Sequence, residues 1–204
     1  MKSLLALLLL LTVACSSAPN APTAPSSTLV SSNDVLAVKP SGEPVVLLYD
    51  NFDTENGGLW AYSYTGWANW EVLNGTVDLT GGNAPYTDWG EGMLVDLDGN
   101  GPSGLFQTRQ TFTFEPNRAY VVEFWMAGSH IGDGTAPNTN TVTVQLGNET
   151  VATLTLPYGY PWQLYSYRVT FKNRNNTGKL SFQNDGADSM GALLDKVKLT
   201  ETPK

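Results

Sequence analysis

The residues best suited to chemistry are planar and clustered. Trp60, Tyr62 and Tyr64 alternate, so an extended backbone would put their rings on one face. Trp67 follows in a glycine-containing turn. Tyr86 and Trp89 lie in GGNAPYTDWGEG, beside Asp88 and Glu91. Tyr158, Tyr160 and Trp162 lie in LPYGYPW, where Gly159 and Pro161 predict a loop. An uncovered indole or phenol gives the flat C–H face of a sugar an apolar platform, while nearby amides and carboxylates bond its hydroxyls. Trp60, Tyr62, Trp67, Tyr86, Trp89, Tyr158, Tyr160 and Trp162 are therefore the candidate ligand-binding residues. The competing reading is that such rings cap the ends of a core. Trp70, Tyr120, Tyr165 and Tyr167 read as core, and Trp125 stands opposite the core row of its strand.

Other chemistry finds less support. The single histidine, His130, cannot form a multi-histidine metal centre, and one cysteine leaves no internal disulfide and no cysteine-based zinc site. No G-x-S-x-G elbow occurs. Asp88 and Glu91 could pair as the two carboxylates of a glycosidase, but acids are scattered through most loops. Asp96-Leu97-Asp98-Gly99-Asn100-Gly101 opens like a calcium loop, yet its twelfth place is Gln107 where a bidentate Glu belongs. It reads instead as a strand end running into a glycine turn. A net charge of −8 offers no basic stripe to displace counterions, which excludes nucleic acid as a partner.

These residues need a scaffold and an address. Residues 1–14, MKSLLALLLLLTVA, combine one early Lys with an apolar run too short for a permanent bilayer span, the proportions of a signal peptide. Thr12-Val13-Ala14-Cys15 resembles the bacterial lipobox, with Thr12 where an aliphatic residue is usual. The resemblance implies cleavage before Cys15 and a diacylglycerol on its thiol, hence a lipid anchor in a bacterial cell envelope, facing away from the cytoplasm. Residues 16–28 contain only Ser, Ala, Pro, Thr and Asn, and 29–44 are broken by Pro40, Gly42 and Pro44. The stretch 15–44 reads as the lipidated cysteine and a flexible linker, which would reach about 30 Å as a random coil.

From Val45 the apolar pattern has period two, with turn signals between short runs. Tyr120, Val122, Phe124 and Met126 share one face, and Val142, Val144 and Leu146 another. Asn74-Gly75 between Trp70–Leu73 and Thr76–Leu79 predicts a hairpin. Leu94 is expected to point inward with Val72, Val77 and Leu79. About ten such strands predict an all-β domain over 45–204, a two-sheet antiparallel β-sandwich.

The order NFD, a Trp-rich segment, WEVLNGTVDL, VDLDGNGPSGLFQT, AYVVEFWMAGS and ALLDKVKL resembles the choice-of-anchor C and plant cell-wall family of galactose-binding-like jelly rolls, and more loosely carbohydrate-binding modules. The resemblance implies a jelly roll that binds glycans or sits at cell surfaces. It also implies a structural calcium between the first-strand loop and the last strand, where Asp53 and Asp195 occupy the matching places. The expectation is an envelope lipoprotein presenting a non-catalytic module for polysaccharide or cell-wall glycan. A structural or adhesive protein that contacts other proteins is the alternative, and a glycoside hydrolase-like enzyme the third.

Overall fold

The computed structural model describes residues 42–81, 92–129, 139–173, 176–186 and 190–204. Residues 1–41, with Cys15 among them, and 82–91 and 130–138, with Tyr86, Asp88, Trp89, Glu91 and His130, lie outside the described set. The described strands are β1 (Val45–Asp50), β2 (Trp70–Leu73), β3 (Asp78–Gly81), β4 (Met93–Asp96), β5 (Leu105–Thr108), β6 (Phe112–Phe114), β7 (Arg118–Ala127), β8 (Thr139–Leu146), β9 (Glu149–Pro157), β10 (Gln163–Thr170), β11 (Asn176–Gly178), β12 (Leu180–Asn184) and β13 (Leu193–Pro203).

Two antiparallel sheets form the sandwich. One runs β10-β7-β13-β4-β3, with β1 added to β13, and the other runs β2-β5-β12-β8-β9; β6 and β11 form a separate ribbon. The strand β13 is long enough to pair along its length with β7 while β4 takes its first residues and β1 its later ones. Alternation builds the core as expected. Tyr120, Val122, Phe124 and Met126 from β7 meet Val142, Val144, Leu146, Leu180 and Phe182 from the facing sheet. Phe124 and Phe182 touch edge-to-face across the layers at 5.2 Å, and Trp70 stacks on Phe106 at 4.6 Å. Tyr165 and Tyr167 are half-buried, lying against Phe124.

Two local expectations are corrected. Asn74-Gly75 does not close a hairpin: β2 pairs with β5 in one sheet and β3 with β4 in the other, so the dipeptide carries the chain between layers. Asn74 does adopt positive φ, as the turn signal requires, but Thr76 bridges to Ser103 and not back to β2. Leu94 is buried, yet on the other side of its sheet, with Ala127, Leu193 and Trp162. Met93, Val95 and Leu97 take the inward places.

Candidate functional site

The outer face of the six-stranded sheet carries the candidate site. On β7, inward Phe124 and Met126 are fully buried, whereas Trp125 between them is 38% exposed. In register it stands between Leu164 of β10, also exposed, and Asp195 of β13. One row further, Ala127, Leu193 and Leu94 form an apolar seam that half-buried Trp162 packs against. The sheet therefore offers a ring and an aliphatic side chain to solvent beside a carboxyl group.

The predicted aromatic residues fall into separate groups. Trp60 and Tyr62 are exposed and touch, ring centroids 5.0 Å apart. Ala61 between them bridges to Leu79, whose side chain enters the core, so both rings fall on the outer side at the β3 edge. Tyr158, Tyr160 and Trp162 occupy the connection from β9 to β10, at the opposite edge of the same sheet. That loop is pinned to the end of β7: Gly128 N–H donates to the Tyr160 carbonyl at 3.0 Å and Gly159 N–H to that of Ser129 at 2.8 Å. Gly159 turns with φ +69°, a conformation only glycine adopts freely. At about 4.8 Å per strand, the two aromatic edges lie roughly 20–25 Å apart across the face.

Trp67 is a correction. It is 2% exposed, packed edge-on against Phe52, Tyr64 and Phe106, and its indole N–H donates to the Tyr64 carbonyl at 2.7 Å. A ring enclosed on these sides cannot serve as a sugar platform. It braces the first-strand loop together with Asp50, which accepts from Phe52 N–H, Asn69 and the Trp70 indole, and with Glu55, which accepts from Ala68 N–H.

Asp53 and Asp195 approach closely enough to interact electrostatically. Asp53 accepts from Met93 N–H at 2.8 Å and from the Asn51 amide. Asp195 lies at an irregularity in β13 where Lys196 takes φ +49°. It accepts from Lys196 N–H at 2.6 Å, with the Lys196 ammonium 3.6 Å away. A carboxylate has about four acceptor sites, more than these bonds use. Burial pushes the Asp195 carboxyl up to about 6, and the Asp53 charge adds to this against the opposing Lys196 bonds.

The sign of the consequence is fixed. A carboxyl raised in the folded state favours folding when protonated, so its contribution is complete below the unfolded value near 3.8 and is lost as pH rises through about 6. A shift of this size is worth at most about 3 kcal/mol. The domain should therefore melt at a higher temperature at pH 5 than at pH 8 without divalent ions, and Asp195→Asn should shrink that difference. A variant with the parent's pH dependence would show that Asp195 does not contribute.

Sequence reasoning missed a third group. The strand β4 does end at Asp96 and a glycine turn follows, as expected, but Asp78, Asp96 and Asp98 are all buried. Their burial cannot be read from an alternating strand with a polar end, because it depends on segments that cover the sheet from elsewhere. Among the described residues, no group of three or more His, Cys, Asp or Glu is arranged to hold a metal ion. A cation in this domain would take much of its coordination from amide and main-chain oxygens, as calcium accepts.

No protein-family profile matches the chain, and no curated protein matches it. Solved structures do. A Stig cyclase, Fisc, from Fischerella sp. TAU aligns with 79% of this chain and 99% of its own at 16% identity and a TM-score of 0.50. The CBM22-1 xylan-binding domain of Paenibacillus barcinonensis Xyn10C covers 80% and 97% at 14% identity and TM-score 0.44. The C-terminal family 22 carbohydrate-binding module of Clostridium thermocellum Xyn10B covers 81% and 96% at 12% identity and TM-score 0.47. At such identities the likeness concerns the fold, a β-sandwich, and the site must be argued from its own residues.

Proposed function

We propose that this domain is a non-catalytic glycan-binding module that takes a polysaccharide chain across the outer face of its six-stranded sheet. One observation carries the reading: Trp125 is held by an interior strand and left partly open to solvent, beside Leu164 and Asp195. A large ring exposed next to a second exposed apolar side chain is the kind of patch that contact surfaces are built on. Trp60 and Tyr62 at one edge, with Tyr158, Tyr160 and Trp162 at the other, extend the surface over several sugar units. Tyr86 and Trp89 remain candidates on sequence grounds.

Affinity electrophoresis through gels holding single polysaccharides tests this. The panel would include xylan, named for the Paenibacillus domain, together with cell-wall glycans and exopolysaccharides. Retardation by at least one polymer is expected; free migration through every gel, with partners that survive excess sugar, would favour a protein-binding role.

The rest of the reading is an address and an ion. Residues 1–14 are proposed as a signal peptide and Cys15 as the lipidated residue, with 15–44 as the tether to an extracytoplasmic membrane surface. Mass spectrometry of the mature protein should find a diacylglyceryl group on Cys15 that Cys15→Ser removes; an unmodified thiol would refute the anchor. A structural calcium is proposed at Asp53 and Asp195, supported by the mutual repulsion of these two acids, which the Lys196 ammonium beside Asp195 offsets only in part. Its mark would be loss of one bound calcium in Asp195→Asn.

A further inference from the structure

Along one side the two sheets end together. β9 is the last strand of its sheet and β10 the last of the other; among the described strands they pair neither with each other nor with a strand beyond. The inward residues show the consequence. On β7, one strand in, Tyr120, Val122, Phe124 and Met126 are fully buried. On β10 the inward row of Tyr165, Tyr167 and Val169 is only half-buried, and so are Val151, Ala152 and Leu154 of β9. The core is therefore partly open to solvent along this side.

Two features of the open side point to one kind of ligand. The first is a flat wall. The Tyr165 and Tyr167 rings are parallel within 6° and their centroids are 6.5 Å apart, too far for face-to-face contact. Both lie on Phe124, at 5.5 and 6.2 Å. They stand side by side over one support and make a single apolar surface. The Tyr160 phenol, in the loop at one end, is near enough to interact with that of Tyr165. The second feature is a cavity at the other end, of about 320 Å³, where the turn from β8 to β9, the end of β10 and β11 meet. That is room for a small ligand. Asn148, Glu149, Lys172, Asn173 and Asn176 line it, and among the described residues none of these side chains has a hydrogen-bond or ion-pair partner. Carboxamides, which both donate and accept, match the hydroxyls of a sugar, and Glu149 and Lys172 leave the lining without net charge. Wall and cavity are in line. Phe171, inward like Tyr165 and Tyr167, also lines the cavity, and the run from Tyr165 to Phe171 measures roughly 20 Å.

We infer that this side of the sandwich is a second glycan contact, where a short run of an uncharged oligosaccharide lies over Tyr165 and Tyr167 and one sugar residue enters the cavity beside Lys172 and Asn173. An extended peptide would use the free main-chain edges of β9 and β10. It would leave unexplained a cavity of unpartnered amides at the end of an aromatic wall. The inference shares the ligand class of the reading above but not its surface, since Trp125 and Leu164 face the other way. The outer face holds the polymer; the cleft takes a short stretch, so it is measured with oligosaccharides in solution and not by gel retardation.

Calorimetric titration of the full chain with neutral xylo-, gluco-, manno- and galacto-oligosaccharides, from single sugars to hexaoses, tests it. At least one series should bind, with affinity rising until the sugar spans the roughly 20 Å from Phe171 to Tyr165 and then levelling off. Binding in the cleft should persist in Trp125→Ala. In that background Lys172→Ala and Asn173→Ala, both at exposed positions, should each weaken it about tenfold with the melting temperature unmoved. Tyr167→Ala should remove the gain with length and leave the affinity for a single sugar as it was. Lys172→Ala and Asn173→Ala proteins that bind as tightly as their parent would overturn the cleft. Loss of all oligosaccharide binding in Trp125→Ala would overturn it too, and leave the outer face standing. A full chain that binds none of these sugars overturns it even where a polysaccharide gel retains the protein, and so does a peptide that occupies the cleft and is not displaced by sugar.

Discussion

Trp125→Ala should abolish retention on whichever polysaccharide the parent binds, with the melting temperature little changed. The ring lies on the solvent side of β7, so its removal leaves no cavity among Phe124, Met126 and Phe182. What is lost is the flat apolar surface between Leu164 and Asp195. Truncating a tryptophan at the centre of a contact commonly costs about 2 kcal/mol or more, roughly thirtyfold in Kd. Leu73→Ala is the control, because Leu73 is exposed on β2 in the other sheet. Equal binding by parent and Trp125→Ala would remove the outer face from consideration, and loss in Leu73→Ala alone would move the site across the sandwich.

Trp70→Ala should have the largest effect on stability. Trp70 is fully buried, stacks on Phe106, touches Phe52 and Phe182, and donates its indole hydrogen to Asp50 Oδ2 at 3.0 Å. Emptying a buried aromatic position typically costs about 3–5 kcal/mol, a large share of the roughly 5–15 kcal/mol that holds a domain together. The urea midpoint should fall sharply. Trp70→Phe keeps most of the packing and removes the hydrogen bond, leaving Asn69 as the remaining side-chain donor to Asp50, and should cost about 1 kcal/mol. If both variants unfold at the parent's midpoint, the stack does not organise the core.

These outcomes rest on features of unequal legibility. The faces of β7 and β8 could be read from alternation alone, since period two sorts side chains wherever one face is buried. Sheet membership could not. Asn74-Gly75 encodes a reversal of the backbone, but not which strand the chain meets after it, and Ser103 and β4 claimed the following residues. Period two likewise put Leu94 on a buried face and gave the wrong side, because Trp162 covers that side from a distant loop. For the aromatics, residue type was legible and burial was not. Trp67 and Trp60 look alike in sequence, yet Phe52, Tyr64 and Phe106 close around one and leave the other open. Trp125 could be seen to oppose the core row; that it stays 38% exposed required the third dimension. The burial of Asp78, Asp96 and Asp98 escaped for the same reason.

The position of β13 governs how this domain can be made. It is the last strand in the described chain, yet it is the one to which β1, β4 and β7 all attach. A polypeptide emerging amino end first cannot assemble this layer until residue 203 is free. Until then three earlier strands wait with unsatisfied edges, and closure joins segments about 150 residues apart, a slow search by the standards of local structure. A break or stall just short of β13 would leave β1, β4 and β7 without the strand that joins them.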